Sequence, residues 1–273
     1  MKLKRVARAT GLVFAVSLMM ALMAPLAQAT TPAPGYEKFA GCPSPSENPA
    51  IAGCVYSVVT GGHFQMGNKD VPITNPMPLS GGVEEGLVGF SYNSQGGLKP
   101  VKQKVPGGVV GLTGLTWLLE LLGSDALTLY AVTELAGQPQ LGVTQINLPV
   151  KVHLINSVLG GKCYVGSNSS PINLHLTTET TSPPPPNLPI SGKIPAFSLN
   201  EETGIISLKG GKYVDNSFAA PGASGCVLTL FGFIPISING LVNSQSGLPA
   251  AAGTNETIQN IDTDLVESPL VYP

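Results

Sequence analysis

Charge is scarce in this sequence. Of its 273 residues only 14 are Lys or Arg and 16 are Asp or Glu, 11% in all, against roughly 25% in an ordinary globular domain. Arginine is scarcer still, because both copies, Arg5 and Arg8, stand at the extreme N-terminus. Arg is the side chain that grips phosphate and carboxylate with paired hydrogen bonds, and nucleic-acid binders present clustered basic faces. No nucleic-acid partner is therefore expected, and anionic membranes, which attract polybasic segments, are poor partners too.

Recognisable catalytic motifs are also missing. There is no G-x-S-x-G elbow, the string Gly222-Ala223-Ser224-Gly225 lacking its spacing, and no Ser precedes a Lys by three positions. H-E-x-x-H, a phosphate-cradling loop and a dinucleotide fingerprint are absent as well. No cofactor is expected. What remains is a chain with 33 Gly, 25 Pro and 43% hydrophobic residues, apolar enough to build a core and short of the Gly/Pro content that marks low-complexity sequence.

The N-terminus reads as a secretory signal peptide over residues 1–29. Lys2, Lys4, Arg5 and Arg8 precede an apolar run from Gly11 to Met23, and Ala27-Gln28-Ala29 supplies a small-residue cleavage site. The run is shorter than the roughly 20 residues that span a bilayer, and no later segment is long and apolar enough to do so. Cleavage after Ala29 would leave ten lysines, no arginine and sixteen acids, a formal charge of −6. The expected product is a secreted protein, extracellular or at the cell surface, with no transmembrane segment.

All four cysteines fall in the exported part, where disulfides persist. Cys42 and Cys54 flank a short Pro-rich loop, so a local bridge between them is the economical pairing and leaves Cys163 with Cys226. Neither C-x-x-C nor a zinc-type Cys/His spacing occurs, so no metal is expected at these residues.

Most remaining segments are short and alternate with period two, as strands do. Examples are Cys54 to Val59, Ala126 to Leu135, Asn147 to Asn156, Ile172 to Thr178, and Gly225 to Leu241 with Pro235 inside it. The expected fold class is all-β, a disulfide-bonded antiparallel β-sandwich with at most one short helix near 115–122. An N-terminal disulfide loop over 30–54 would lead into one sandwich domain over 55–273, its halves joined by the Pro-rich crossing 182–189.

The helical segment is the sharpest candidate for ligand contact. Leu115, Trp117, Leu118, Leu119 and Leu122 make it apolar almost all round, with Gly123 placed to end it. Such a helix is expected to be buried, and the functional alternative is a lid or docking surface. His153 and His175 each occupy the polar side of an expected strand, where neighbouring strands would set two imidazoles together as a weak metal candidate. His63 follows a Gly-Gly turn without an evident partner. Glu84-Glu85, Glu201-Glu202 and Asp262-Thr263-Asp264 read as solvated loop charge.

Cys54-Val55-Tyr56-Ser57, the Asn75 to Gly82 turn, Leu148 to Leu154, Cys163 to Ser167, Leu176-Thr177-Thr178 and Val214 to Cys226 together resemble a group of secreted proteins from high-GC Gram-positive bacteria. That resemblance covers most of the exported chain and implies export and a shared disulfide fold, with no activity or site to transfer. The functional expectation is a non-enzymatic extracellular module that binds an unknown ligand or surface, or serves a structural role. The alternatives are a carrier of a hydrophobic ligand or lipid using residues 115–122, and a hydrolase with a non-standard site.

Overall fold

A computed structural model describes residues 31–87, 89–230 and 234–273, and their side chains except those of Leu87, Leu119, Ser124, Asp125 and Leu230. Residues 1–29, expected from the sequence to be a signal peptide, lie outside the described residues. After a 3-10 turn at Glu37–Phe39, the chain forms β1 (Ile51–Met66), β2 (Lys69–Pro72), β3 (Met77–Glu84), β4 (Phe90–Ser91), β5 (Gly97–Leu98) and β6 (Lys102–Lys104). Helices α1 (Gly108–Thr113) and α2 (Trp117–Ala126) follow. Next come β7 (Tyr130–Leu135), β8 (Gln140–Leu141), β9 (Gln145–Ile155), β10 (Tyr164–Val165), β11 (Ile172–Thr177), β12 (Ala196–Asn200) and β13 (Ile205–Asp215). The chain ends with β14 (Ala223–Ser224), β15 (Val227–Leu230), β16 (Ile234–Ser237), α3 (Asn239–Ser246), β17 (Glu256–Glu267) and α4 (Ser268–Val271).

The all-β antiparallel expectation holds. Fifteen strands form one sheet whose main path runs β14-β10-β9-β11-β13-β17-β1-β3-β4, and β15 and β16 make a separate hairpin. Among the described residues four short α-helices occur where one was expected. The Gly-rich α1 and the polar α3 carry too little apolar periodicity to announce themselves.

The sheet curls, which puts strands distant in pairing order on opposite sides of one core. Leu135 of β7 and Leu141 of β8 pack with Val55, Leu79, Val83 and Phe90, although β9, β11, β13 and β17 intervene. A buried side chain helps fasten the curl. Gln103 of β6 accepts the N–H groups of Thr74 and Asn75 at 3.0 Å each and donates to the Asn75 carbonyl at 2.7 Å. Residues 182–189 form an excursion between β11 and the β12–β13 hairpin; β11 and β13 pair directly at Thr177 and Val214. Asn187 ties the excursion down by donating to the carbonyls of Asn216 and Asn255.

Each end of the molecule carries one disulfide, paired as the spacing predicts. Cys42–Cys54 joins the N-terminal loop to β1, with the cysteine Cα atoms 5.4 Å apart, inside a small core with Phe39, Val266, Val271 and Tyr272. Cys163–Cys226 spans 63 positions and belongs to the main core.

Candidate functional site

The apolar helix is where expectation and structure part. Only Leu118 is fully buried, at 0% exposure; Trp117, Leu121 and Leu122 are 44%, 54% and 39% exposed, and Leu115 is partly buried. The side chain of Leu119 is not among those described. The reason is geometric. The helix turns Leu118 into the main core, and Gly123, at φ 76°, breaks the helix after Leu122. Trp117 and Leu121, one turn apart, thus share an outward face.

Other apolar side chains gather at this end. The loop after β9 links α2 to the β15–β16 hairpin: Asn156 donates to the carbonyls of Ala126 and Thr128 at 2.8 and 2.7 Å, and the Thr229 N–H reaches the Val158 carbonyl at 3.4 Å. Ile234 and Ile236 on the hairpin and Leu241 on α3 are all exposed. No charged residue occurs from Val227 to Ser246.

Trp117 does not wall the enclosed cavity. That cavity, inside the curled sheet among Phe64, Met66, Met77, Leu148, Leu174 and Gln259, measures about 50 Å³. Pockets for drug-sized ligands are roughly 300–1,000 Å³, so this one is too small for a lipid chain. Beside α1, Val105, Pro106, Val110 and Leu127 line an open groove of about 650 Å³ that also excludes Trp117.

His153 and His175 are not neighbours. The β9–β11 register sets His175 opposite Asn147, six residues along β9 from His153, or roughly 20 Å at the strand rise. His153 stacks on Tyr164, ring centroids 4.2 Å apart, and its Nδ1 lies 3.4 Å from Glu134 Oε1. Glu134 also approaches Lys151 Nζ at 3.5 Å and accepts from the Tyr164 hydroxyl at 3.4 Å. Burial first, then the Glu134 charge and hydrogen bond, pushes that hydroxyl's pKa up. His63, partnerless in the sequence reading, has Asp70 Oδ1 2.8 Å from Nδ1 and Glu256 Oε1 3.4 Å from Nε2. These carboxylates sit at the two ring nitrogens instead of converging on one point. Among the described residues no three His, Cys, Asp or Glu side chains are placed to hold a metal ion.

His175 lines a polar groove of about 320 Å³ with Asn147, Thr177, Glu179, Asp215 and Ser217. Its Nδ1 meets Asn147 Oδ1 at 2.8 Å. The Asp215 carboxylate accepts the backbone N–H groups of His175 at 2.7 Å and Ser217 at 2.8 Å. Burial raises its pKa, an effect those two hydrogen bonds and the charge of His175 oppose. Nucleophilic catalysis needs a hydroxyl within hydrogen-bond reach of a base. Among the described residues no Ser or Thr hydroxyl is bonded to the imidazole ring of any of the three histidines; the Thr257 hydroxyl donates to the backbone carbonyl of His63.

Two groups were misjudged or missed in the sequence. Asp264 is a strand residue with 8% exposure and not loop charge; it meets Lys38 at 2.8 Å, Lys209 at 3.1 Å and the Ser207 hydroxyl at 2.6 Å. The second is β12, where Phe197 and Leu199 are 66% and 52% exposed. Leu199 borders an open trough of about 520 Å³ with Val83, Ile206, Leu265 and Leu270, a mostly apolar lining to which Glu84, Glu85 and Glu267 also belong. The alternation in Ala196-Phe197-Ser198-Leu199-Asn200 was the available signal.

Comparison with known proteins finds no matching family model, no matching curated protein and no matching solved structure.

Proposed function

We propose that the protein is a secreted, non-enzymatic binding module that meets its ligand through the apolar end built by α2. The observation that carries this reading is the outward display of Trp117, Leu121 and Leu122 on a helix pinned from below by Leu118. Exposed apolar clusters of this kind mark contact surfaces. The leader-like N-terminus, its resemblance to secreted proteins and the two formed disulfides support export, and no helix among the described residues is long and apolar enough to cross a membrane. A neutral lipid surface is the ligand chemistry that fits best, because this end displays a tryptophan and leucines, and α2, whose charged residues are Glu120 and Asp125, has no basic side chain to draw an anionic one. A carrier with α2 as its lid is the weaker reading, since the enclosed cavity has no room for such a ligand.

Trp117 is the chain's single tryptophan, so its emission reports on this face alone. Titration with phosphatidylcholine vesicles is expected to shift that emission to the blue, and Leu121→Ser with Leu122→Ser to remove the shift. Unchanged emission from the unmodified protein would overturn the reading.

A further inference from the structure

The β12 strand is an open edge. It pairs with β13 on one side and with no other described strand, and all five of its residues are exposed. Natural sheets guard such edges with charge, proline or bulges. From Ala196 to Asn200 there is no charged residue and no proline, Pro195 and Glu201 standing just outside it, and Ile194, two residues before the strand, is 60% exposed. Phe197 stands opposite Leu208 and Leu199 opposite Ile206. Ile206 in turn faces Leu265, so the apolar face of β12 continues into the trough that Val83, Ile206, Leu265 and Leu270 border.

We propose that β12 is the self-association edge of this protein, two copies pairing their β12 strands antiparallel about a two-fold axis at Ser198. The segment is self-complementary in that register. Phe197 of each copy falls opposite Leu199 of the second, on the same face, and Ala196 falls opposite Asn200. Past Asn200 the strand gives way to a turn over residues 201–204, closed by the Gly204 N–H on the Asn200 carbonyl, and the pairing brings Lys193, just before β12, up to that turn of the second copy. Lys193 therefore lies beside an acidic turn at both ends of the pairing, and among the described residues neither Lys193, Glu201 nor Glu202 has an ion pair within its own chain. The backbone groups along the edge gain partners, and each trough gains Phe197 of the second copy along its open side.

The test is the oligomeric state of the purified, disulfide-bonded protein by sedimentation equilibrium, with circular dichroism confirming that each variant is folded. The unmodified protein should dimerise. Phe197→Lys with Leu199→Lys sets like charges across both pairs and should raise the dimer dissociation constant by at least about tenfold. Phe197→Lys with Leu199→Glu sets opposite charges across the same pairs and should restore dimerisation toward the unmodified value. A monomer up to about 0.1 mM, well above typical protein–protein dissociation constants, would overturn the proposal and leave the edge to a strand from another protein. A dimer insensitive to the double lysine variant would overturn it equally. So would failure of the combined Phe197→Lys and Leu199→Glu variant to recover dimerisation, since only the two-fold register at Ser198 pairs those two positions.

Discussion

On β12, Phe197 and Leu199 stand along a strand edge whose outer backbone groups have no strand partner; on α2, Trp117 and Leu121 stand on a helix that bonds its own backbone internally. Both pairs show water much of their apolar surface, Phe197 and Leu199 being 66% and 52% exposed and Trp117 and Leu121 44% and 54%, yet they offer a partner different things. A strand edge supplies directional hydrogen bonds at a fixed spacing, so its partner must match register and face. A helix face supplies only side chains to bury, and it accepts any apolar surface of suitable shape, a bilayer included. Exposed apolar area therefore does not define a partner by itself. The state of the backbone behind it decides between selective and permissive contact.

The two ends are also fastened differently, and the largest expected effect separates them. In the chain-entropy account a cross-link stabilises more the longer the loop it closes. Replacing Cys163 and Cys226 together by Ser should cost about 4 kcal/mol, and replacing Cys42 and Cys54 about 3 kcal/mol, given sequence separations of 63 and 12. Guanidinium denaturation of the two variants measures the order. A larger loss at the β12 end would mean that packing around Cys42, Phe39 and Tyr272 outweighs loop closure.

Next in size is the anchor of α2. Leu118→Ala removes a fully buried side chain and should cost about 3 kcal/mol, with the helix loosened from the body and Trp117 more accessible to iodide quenching. Were the stability change negligible, α2 would be held by something other than its one buried leucine.

Why the helix was legible as a helix but not as an exposed one follows from what a sequence encodes. Apolarity all round Leu115 to Leu122 states what the segment tolerates, while the number of neighbours that cover it is set by where the sheet ends. Strands β9 and β11 are legible because Leu148, Val150 and Val152, and Ile172, Leu174 and Leu176, alternate with polar residues and share one face of the sheet. Strand β17 lies equally central and is hidden, because Thr257, Gln259 and Asp264 occupy buried positions and blunt the alternation. In β13 a register shift between Leu208 and Gly211 breaks the period. The disulfide pairing could be read from spacing. The separation of His153 from His175 could not, since it depends on which residues of β9 and β11 come opposite.

A smaller effect belongs to Asp264, which ties β13 to β17 beside β12 through Ser207, Lys209 and Lys38. Burial alone would raise its pKa, but hydrogen bonds from Lys38, Ser207 and Lys209 outweigh burial and hold the carboxyl below the ordinary aspartate value. Its stabilisation is therefore complete above the pKa of an unfolded aspartate and is lost as pH falls through the lower, folded value. Asp215 acts in the opposite sense. Its pKa is raised chiefly by burial, so it stabilises on the acid side and loses that contribution as pH rises through its folded value. Asp264→Asn should cost about 1–3 kcal/mol at neutral pH, with the unmodified and variant curves converging in acid. Parallel curves in denaturation at several pH values would show that the lysine network does not depend on the Asp264 charge.

The smallest stability effects should come from the two exposed elements themselves, and here the contrast between them is most direct. Leu121→Ser and Phe197→Ser each remove a side chain that already faces water in the isolated chain, so each should change the free energy of unfolding by no more than about 0.5 kcal/mol. Their consequences for association should then diverge. Leu121→Ser should weaken vesicle binding and leave sedimentation unchanged, because α2 carries no part of the β12 pairing. Phe197→Ser should weaken self-association and leave the vesicle-induced shift of Trp117 emission intact. If either substitution moved both readouts, the strand edge and the helix face would be parts of one contact surface, and the division between selective and permissive binding would fail.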